Sequence, residues 1–257
     1  MVRSTRVWSH EATSDRCRRP FRPIEGTHPG ILGDNLVGIY SYGSITQGAF
    51  DPARSDVDCV VLLRRGLTTT ELERLDAWLR SAALEEPWVT RLQMSILVKD
   101  ELFMMDGQGW LYQFGELKRS GSDGNPLIWL NILESGGVVW GPRPQSFVPS
   151  ITPALILETL GRELAYLHAE MIDNASAKWR DVPFYRAYAV LTICRILYTR
   201  NTGRIGSKPD AAGWALATVP EEWHALIQEA LEFDRGERQA AIEVQPIVRF
   251  IGFAESR

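Results

Sequence analysis

Residues 42–58 read Tyr-Gly-Ser-Ile-Thr-Gln-Gly-Ala-Phe-Asp-Pro-Ala-Arg-Ser-Asp-Val-Asp. The run Leu36–Tyr42 leads into Gly43-Ser44, and the run Val57–Leu63 carries the end of the stretch. Both runs are dense in apolar and β-branched residues and read as strands. Asp56 and Asp58 stand at i and i+2, which on a strand places both side chains on one face, about 7 Å apart at the backbone. Two carboxylates on one face repel unless a cation sits between them. Mg²⁺ suits such a pair, because it takes one or two carboxylates and completes its shell with water and substrate phosphates. Gly43 lets the backbone approach a phosphate. The Ser44 hydroxyl and a following helix N-terminus would donate to that phosphate. The same residues would also suit a surface strand with two solvated carboxylates after a Gly-Ser turn.

A third strand-like run follows at Leu92–Val98. Between it and the second lies Thr70–Leu84, where Leu72, Leu75, Leu79 and Ala82 recur at helical spacing. These elements predict a small mixed sheet with helices on one side. Four prolines (Pro142, Pro144, Pro149, Pro153) then interrupt regular structure. Beyond them the chain reads as five helices. Thr152 caps the first, with Leu157, Leu160, Leu164, Leu167 and Met171 inward. Pro183 opens the second, with Phe184, Ala187 or Tyr188, Leu191, Cys194 and Tyr198 on one stripe, and Gly203 ends it. Ser207 and Asp210 form a capping-box variant opening the third. Pro220 opens the fourth, with Trp223, Leu226, Ile227, Ala230 and Leu231 inward. The last carries Ala241, Val244, Val248 and Ile251, with a kink expected at Pro246. The fold class is therefore α+β: a sheet domain over 23–145 and a helical bundle over 150–257.

Composition narrows the function. The chain of 257 residues is 45% apolar and 23% charged, which is ordinary globular usage. Its 28 basic and 32 acidic residues give a net charge of −4. Six arginines crowd residues 1–22, which read as a disordered basic tail. The rest carries an acidic excess, so duplex nucleic acid is a poor partner. The three cysteines show no CxxC pattern and fit free thiols in a reducing, cytoplasmic setting. The four histidines show no ligand spacing. No apolar run is long enough to cross a membrane.

At this point the chain resembles a known family. Tyr42-Gly43-Ser44 with Ser55-Asp56-Val57-Asp58 is similar to the nucleotidyltransferase superfamily that includes DNA polymerase β. A closer likeness is to the aminoglycoside adenylyltransferases of the streptomycin/spectinomycin type. Gln113-Phe114-Gly115-Glu116 resembles that family's Q-F-G-E. Val190-Leu191-Thr192 through Arg195 resembles a helix of its helical domain. Thr202-Gly203-Arg204-Ile205, Ser207-Lys208, Ala211-Ala212 and Trp214-Ala215 resemble its T-G-K-I … K-x-x-A-A-x-W-A. The likeness covers residues 36–235. It implies a nucleotidyltransferase domain over 23–145 and a nucleotide-closing helical domain over 150–257. The implied reaction moves AMP from ATP to a hydroxyl of a small acceptor, with an aminoglycoside-like antibiotic as the candidate. Asp56 and Asp58 would hold Mg²⁺, with Gly43, Ser44 and Ser55 at the triphosphate. Arg195 and Lys208 would reach the nucleotide from the helical domain. A cation at Lys208, beside the positive end of a helix, is explained by an anion bound there.

Three positions depart from the family pattern. The family's general base, a Glu on the third strand, falls at Gln93, which takes no proton at useful pH. Glu101 and Glu116 are the substitutes nearest in sequence. Leu117 replaces the Trp that follows Q-F-G-E. Tyr185 replaces an acidic acceptor-binding residue, with Trp179 and Asp181 close by and Glu116 as a further acceptor candidate. These departures sustain a second reading, a nucleotide-binding sensor or regulatory protein without transferase activity. The sequence does not specify oligomeric state.

Overall fold

The computed structural model describes residues 30–104, 107, 109–120, 124–173 and 180–257. The basic tail 1–22 and Trp179 lie outside the described residues. The chain divides into two compact units. One takes the residues up to Gly124 together with Ser135–Phe147; the other takes Asn125–Glu134 and Val148–Arg257. The sequence reading put everything from 23 to 145 with the sheet. Residues 125–134 fall instead with the helical unit.

The sheet unit holds β1 (Leu36–Tyr42), β2 (Val57–Leu63), α1 (Thr69–Glu85), β3 (Leu92–Val98), β4 (Trp110–Gln113), β5 (Glu116–Arg119) and β6 (Gly137–Trp140). The six strands are ordered β5-β4-β3-β2-β1-β6. The β2–β3 pair is parallel and the other pairs are antiparallel. A parallel pair needs a crossover, and α1 supplies it. Thr68 and Glu71 form a capping box that starts α1. Leu75, Leu79 and Ala82 of α1 pack on Val57, Cys59, Val61 and Leu63 of β2 and on Leu92, Met94 and Ile96 of β3. Alternation then turns Asp58 and Gln93 to the opposite face of the sheet.

The helical unit contains α2 (Pro126–Ser135, less its last residue), α3 (Pro153–His168), α4 (Pro183–Thr202), α5 (Lys208–Thr218), α6 (His224–Asp234) and α7 (Val244–Glu255). Five of these follow residue 150, and α2 adds a sixth. Ser207 caps α5 by accepting from Asp210 N at 3.2 Å. Gly203 closes α4 in the left-handed region at φ 69°. Helix α4 packs against α3, α5, α6 and α7. Val190, Leu191, Ile193, Cys194, Ile196 and Leu197 are all buried, so α4 is apolar on nearly every side rather than along one stripe. Each fully buried aliphatic side chain there contributes about 1.5–3 kcal/mol.

Several expected faces shift. Leu157 is 51% exposed, and Ile156 takes its place in the core. Phe184 and Tyr188 are exposed at 49% and 36%, while Ala187 between them is buried, so the inward stripe runs through Ala187. Helix α7 begins at Val244 and buries Ile247, Phe250, Ile251 and Ala254. Ala241 precedes the helix, and Pro246 sits in its first turn, where a missing N–H leaves no bond unmade and needs no kink.

Candidate active site

In the sheet unit, β1 ends at Tyr42, and Gly43 turns the chain at φ 73°. Only glycine takes that conformation freely. The turn Gly43–Ile45 is a single 3-10 turn, not the start of a longer helix. Its bonds close inward: Gly43 O accepts from Thr46 N and Gln47 N, both at 3.1 Å. The expected helix N-terminus is therefore absent, and Gly43 and Ser44 present a tight turn.

Asp58 stands in a row across the sheet. Tyr42 is its partner on β1 and Gln93 its partner on β3. In-register neighbours share a face, so Gln93 lies beside Asp58. The Asp58 carboxylate folds against the turn: a Cβ on Gly43 would lie 2.2 Å from Asp58 Oδ2. Behind Asp58, burial and its negative charge push the Cys59 thiol up. Asp56 is exposed and lies one residue ahead of β2, so the two aspartates are not both on the strand. The ladder explains this, since pairing with β1 ends at Asp58 and pairing with β3 begins at Val57.

The loop that delivers Asp56 is tied at both ends. Asp51 N donates to Ser55 Oγ at 2.9 Å, and Ser55 N donates to Asp51 O at 2.8 Å. The Ala53 N–H and the Arg54 guanidinium bond the Asp51 carboxylate and hold its pKa below the usual range. Arg91, just before β3, donates to Pro52 O at 2.5 Å and to Ser55 O. Its guanidinium lies 5.0 Å from the Trp88 ring. Ser55 thus uses its side-chain oxygen as an acceptor that closes the loop on Asp51.

The donor set fits Mg²⁺. Among the described residues no group of three or more His, Cys, Asp or Glu side chains is placed to hold a metal. A pair of carboxylates leaves most of a six-oxygen shell to water and phosphate, the arrangement Mg²⁺ favours.

Neither substitute base reaches Asp58. Glu116 is exposed on β5, three strands away in the sheet order, or about 14 Å at strand spacing. Glu101 follows the far end of β3, more than about 17 Å from Gln93 along the strand. The Gln113–Glu116 stretch is the β4–β5 turn. Phe114 and Gly115 both take positive φ there, at 55° and 78°, as a two-residue hairpin turn of this hand requires. Leu117 follows on β5 and packs against the sheet core.

In the helical unit, Lys208 is the first residue of α5. Its Nζ lies 2.9 Å from Asp234 Oδ1 and 5.9 Å from the Phe184 and Tyr188 rings. Tyr185 meets Phe184 edge-on at 5.3 Å and Tyr188 at 6.4 Å. On α3, burial and the nearby Glu170 charge raise the Tyr166 phenol, with Tyr188 and Tyr185 adding to the rise. Arg195 is half-buried seven residues beyond Tyr188, on the same side of α4 about 10 Å along. Asp181 is exposed and pairs loosely with Arg180 at 3.7 Å. The structure thus brings Lys208 to the aromatic cluster that includes Tyr185. It also adds Asp234, Phe184 and Tyr188, which the sequence reading left out of the site. The i, i+4 spacing of Phe184 and Tyr188 was the available signal, but it was assigned to the core.

The proteins that this chain is similar to are adenylyltransferases, a class of nucleotidyltransferase. Within that class, residues 166–255 match the family described as aminoglycoside adenylyltransferase, C-terminal domain. The chain is 25% identical over 223 residues to a spectinomycin 9-adenylyltransferase of Staphylococcus aureus, covering 80% of this chain and 81% of the relative. It is 25% identical over 266 residues to an aminoglycoside (3'') (9) adenylyltransferase of Klebsiella pneumoniae, covering 95% and 96%. An Escherichia coli aminoglycoside (3'') (9) adenylyltransferase is 26% identical over 228 residues. The fold matches the crystal structure of spectinomycin adenyltransferase AAD(9) from Enterococcus faecialis with ATP and spectinomycin. That match has a TM-score of 0.69 and 16% identity, and covers 93% of this chain and 97% of that one. The chain is thus similar to aminoglycoside adenylyltransferases over most of its length.

Proposed function

We propose that this protein is an adenylyltransferase that moves AMP from ATP to a hydroxyl of a small antibiotic of the aminoglycoside or spectinomycin kind. The observation that carries the reading is the Asp58 carboxylate seated on Gly43, with Asp56 exposed one residue ahead of the same strand. The names of the relatives support the reaction, and the ATP and spectinomycin in the AAD(9) structure support the substrate classes. Asp56 and Asp58 would hold Mg²⁺, which when bound would neutralise phosphate charge. Gly43 admits the triphosphate close to the backbone, and Ser44 and Ser55 donate to it. Arg195 and Lys208 supply two cations to the nucleotide's phosphates. The acceptor oxygen forms a bond to the α-phosphorus, the bond from that phosphorus to pyrophosphate breaks, and the hydroxyl proton passes to water. The aromatic cluster around Tyr185 offers ring faces to the acceptor, with Trp179, Asp181 and Glu116 as further candidate contacts. Among the described residues no helix is long and apolar enough to cross a membrane. Cys59 and Cys194 are free, which supports a cytoplasmic setting.

The test is pyrophosphate release from Mg·ATP across a panel of aminoglycosides and spectinomycin. Asp58→Ala is expected to lower it by at least about 100-fold, since the reacting geometry is lost with the carboxylate. Equal release by wild type and variant would sink the proposal.

Gln93 favours a second reading, a nucleotide-binding protein without transfer. The two part at Gln93→Glu. If a base is what the site lacks, the variant gains about 100-fold or more in turnover, the usual range for general-base catalysis. Wild-type turnover already in the ordinary enzyme range of about 1–10³ s⁻¹ excludes the second reading.

A further inference from the structure

Lys208 opens α5, where the helix dipole is positive, and Asp234 closes α6, where it is negative. Each charge therefore stands at the unfavourable end of its own helix. Each offsets the other across 2.9 Å, and both side chains remain partly exposed, at 30% and 28%. Asp210 in the first turn of α5 is engaged by the Ser207 cap, with Ser207 Oγ donating to Asp210 Oδ2 at 2.7 Å. Phe184 and Tyr188 meet the same ammonium with their rings. Carboxylate and phosphate oxygens make the same kind of charge-assisted bond to an ammonium. A partly exposed pair is also weak enough to exchange.

We propose that the Asp234 carboxylate is a stand-in for a nucleotide phosphate on Lys208. It holds Nζ in place while the nucleotide is absent and gives way when a phosphate oxygen arrives, so that Asp234 sets the affinity for nucleoside triphosphate. This rests on the assignment of Lys208 to the nucleotide. Asp234 is a positioning residue acting through Lys208.

The test is calorimetric titration of Mg·ATP into wild type, D234N, D234S, K208A and the D234N/K208A double variant. KM for ATP is measured alongside. D234S covers the case in which an Asn oxygen still accepts from Lys208. The expected result is Kd and KM for ATP lower by about 1.5- to 5-fold in D234N or D234S, the range of an exposed ion pair. The gain disappears when Lys208 is Ala, because a double-mutant cycle removes what acts through that residue. Affinity that is unchanged or weaker in both Asp234 variants, with melting temperatures near wild type, overturns the proposal. So does a gain that persists in the double variant. Failure of the wild type to bind ATP overturns the functional reading together with this one, whereas wild-type binding without the gain overturns this one alone.

Discussion

In the sheet unit, Asp58 is held by backbone. Its position in β2 is fixed by ladder bonds to β1 and β3, and its carboxylate lies where a Gly43 side chain would begin. In the helical unit, Lys208 is held by other side chains: Asp234, Phe184 and Tyr188. The difference concerns tolerance. A site built on backbone contact has no slack, because moving one atom moves a strand or a turn. A site built on partly exposed side-chain pairs can exchange partners at a cost of about 1 kcal/mol or less. The first suits a metal centre that must be shaped before substrate arrives. The second suits a cation that must receive a ligand and release it.

The sharpest way to break this comparison is Gly43→Ala. The new Cβ would fall 2.2 Å from Asp58 Oδ2, and the φ of 73° adds backbone strain of about 1–3 kcal/mol. Asp58 must then move by about 1 Å. A fall in kcat/KM of about 100-fold or more is expected, with a lower melting temperature. The measurement is steady-state pyrophosphate release with thermal unfolding of the same sample. Near-wild-type activity would show that the turn has slack and that the two halves do not differ.

The sheet was legible where the signal was local. The spans of β1, β2 and β3 follow from continuous apolar, β-branched runs. The shorter strands were not legible. Trp110–Gln113 and Glu116–Arg119 have four residues each, and Phe114 replaces the Asn or Gly that marks such a turn. Gly137–Trp140 is a strand only because β1 offers an open edge. Helix α2 lies in an apolar run that helix and buried strand share. Of the candidate site, Gly43, Asp56, Asp58 and Lys208 stand out by residue type and spacing. The neighbour relation of Gln93 to Asp58 depends on parallel register, and Asp234 is 26 residues from Lys208. Neither relation has a local signature, since both are made by tertiary packing.

The helical half offers the milder test. Ser207 is buried, and its Oγ both accepts from Asp210 N and donates to Asp210 Oδ2. That cap fixes where α5 starts, and hence where the Lys208 stem leaves the backbone. Ser207→Ala removes both bonds and is expected to cost about 1 kcal/mol, or about 3 °C in melting temperature. Fraying of the first turn would let the Lys208 stem wander, but the Asp234 carboxylate and the two rings still draw the ammonium to one place. KM for ATP should therefore rise by no more than about threefold, while kcat stays within twofold of wild type. Steady-state kinetics over a range of ATP concentrations, with calorimetric unfolding, separates the two effects. A loss in kcat/KM approaching that of Gly43→Ala would mean that Lys208, like Asp58, is held by its backbone, and the distinction between the two halves would fall.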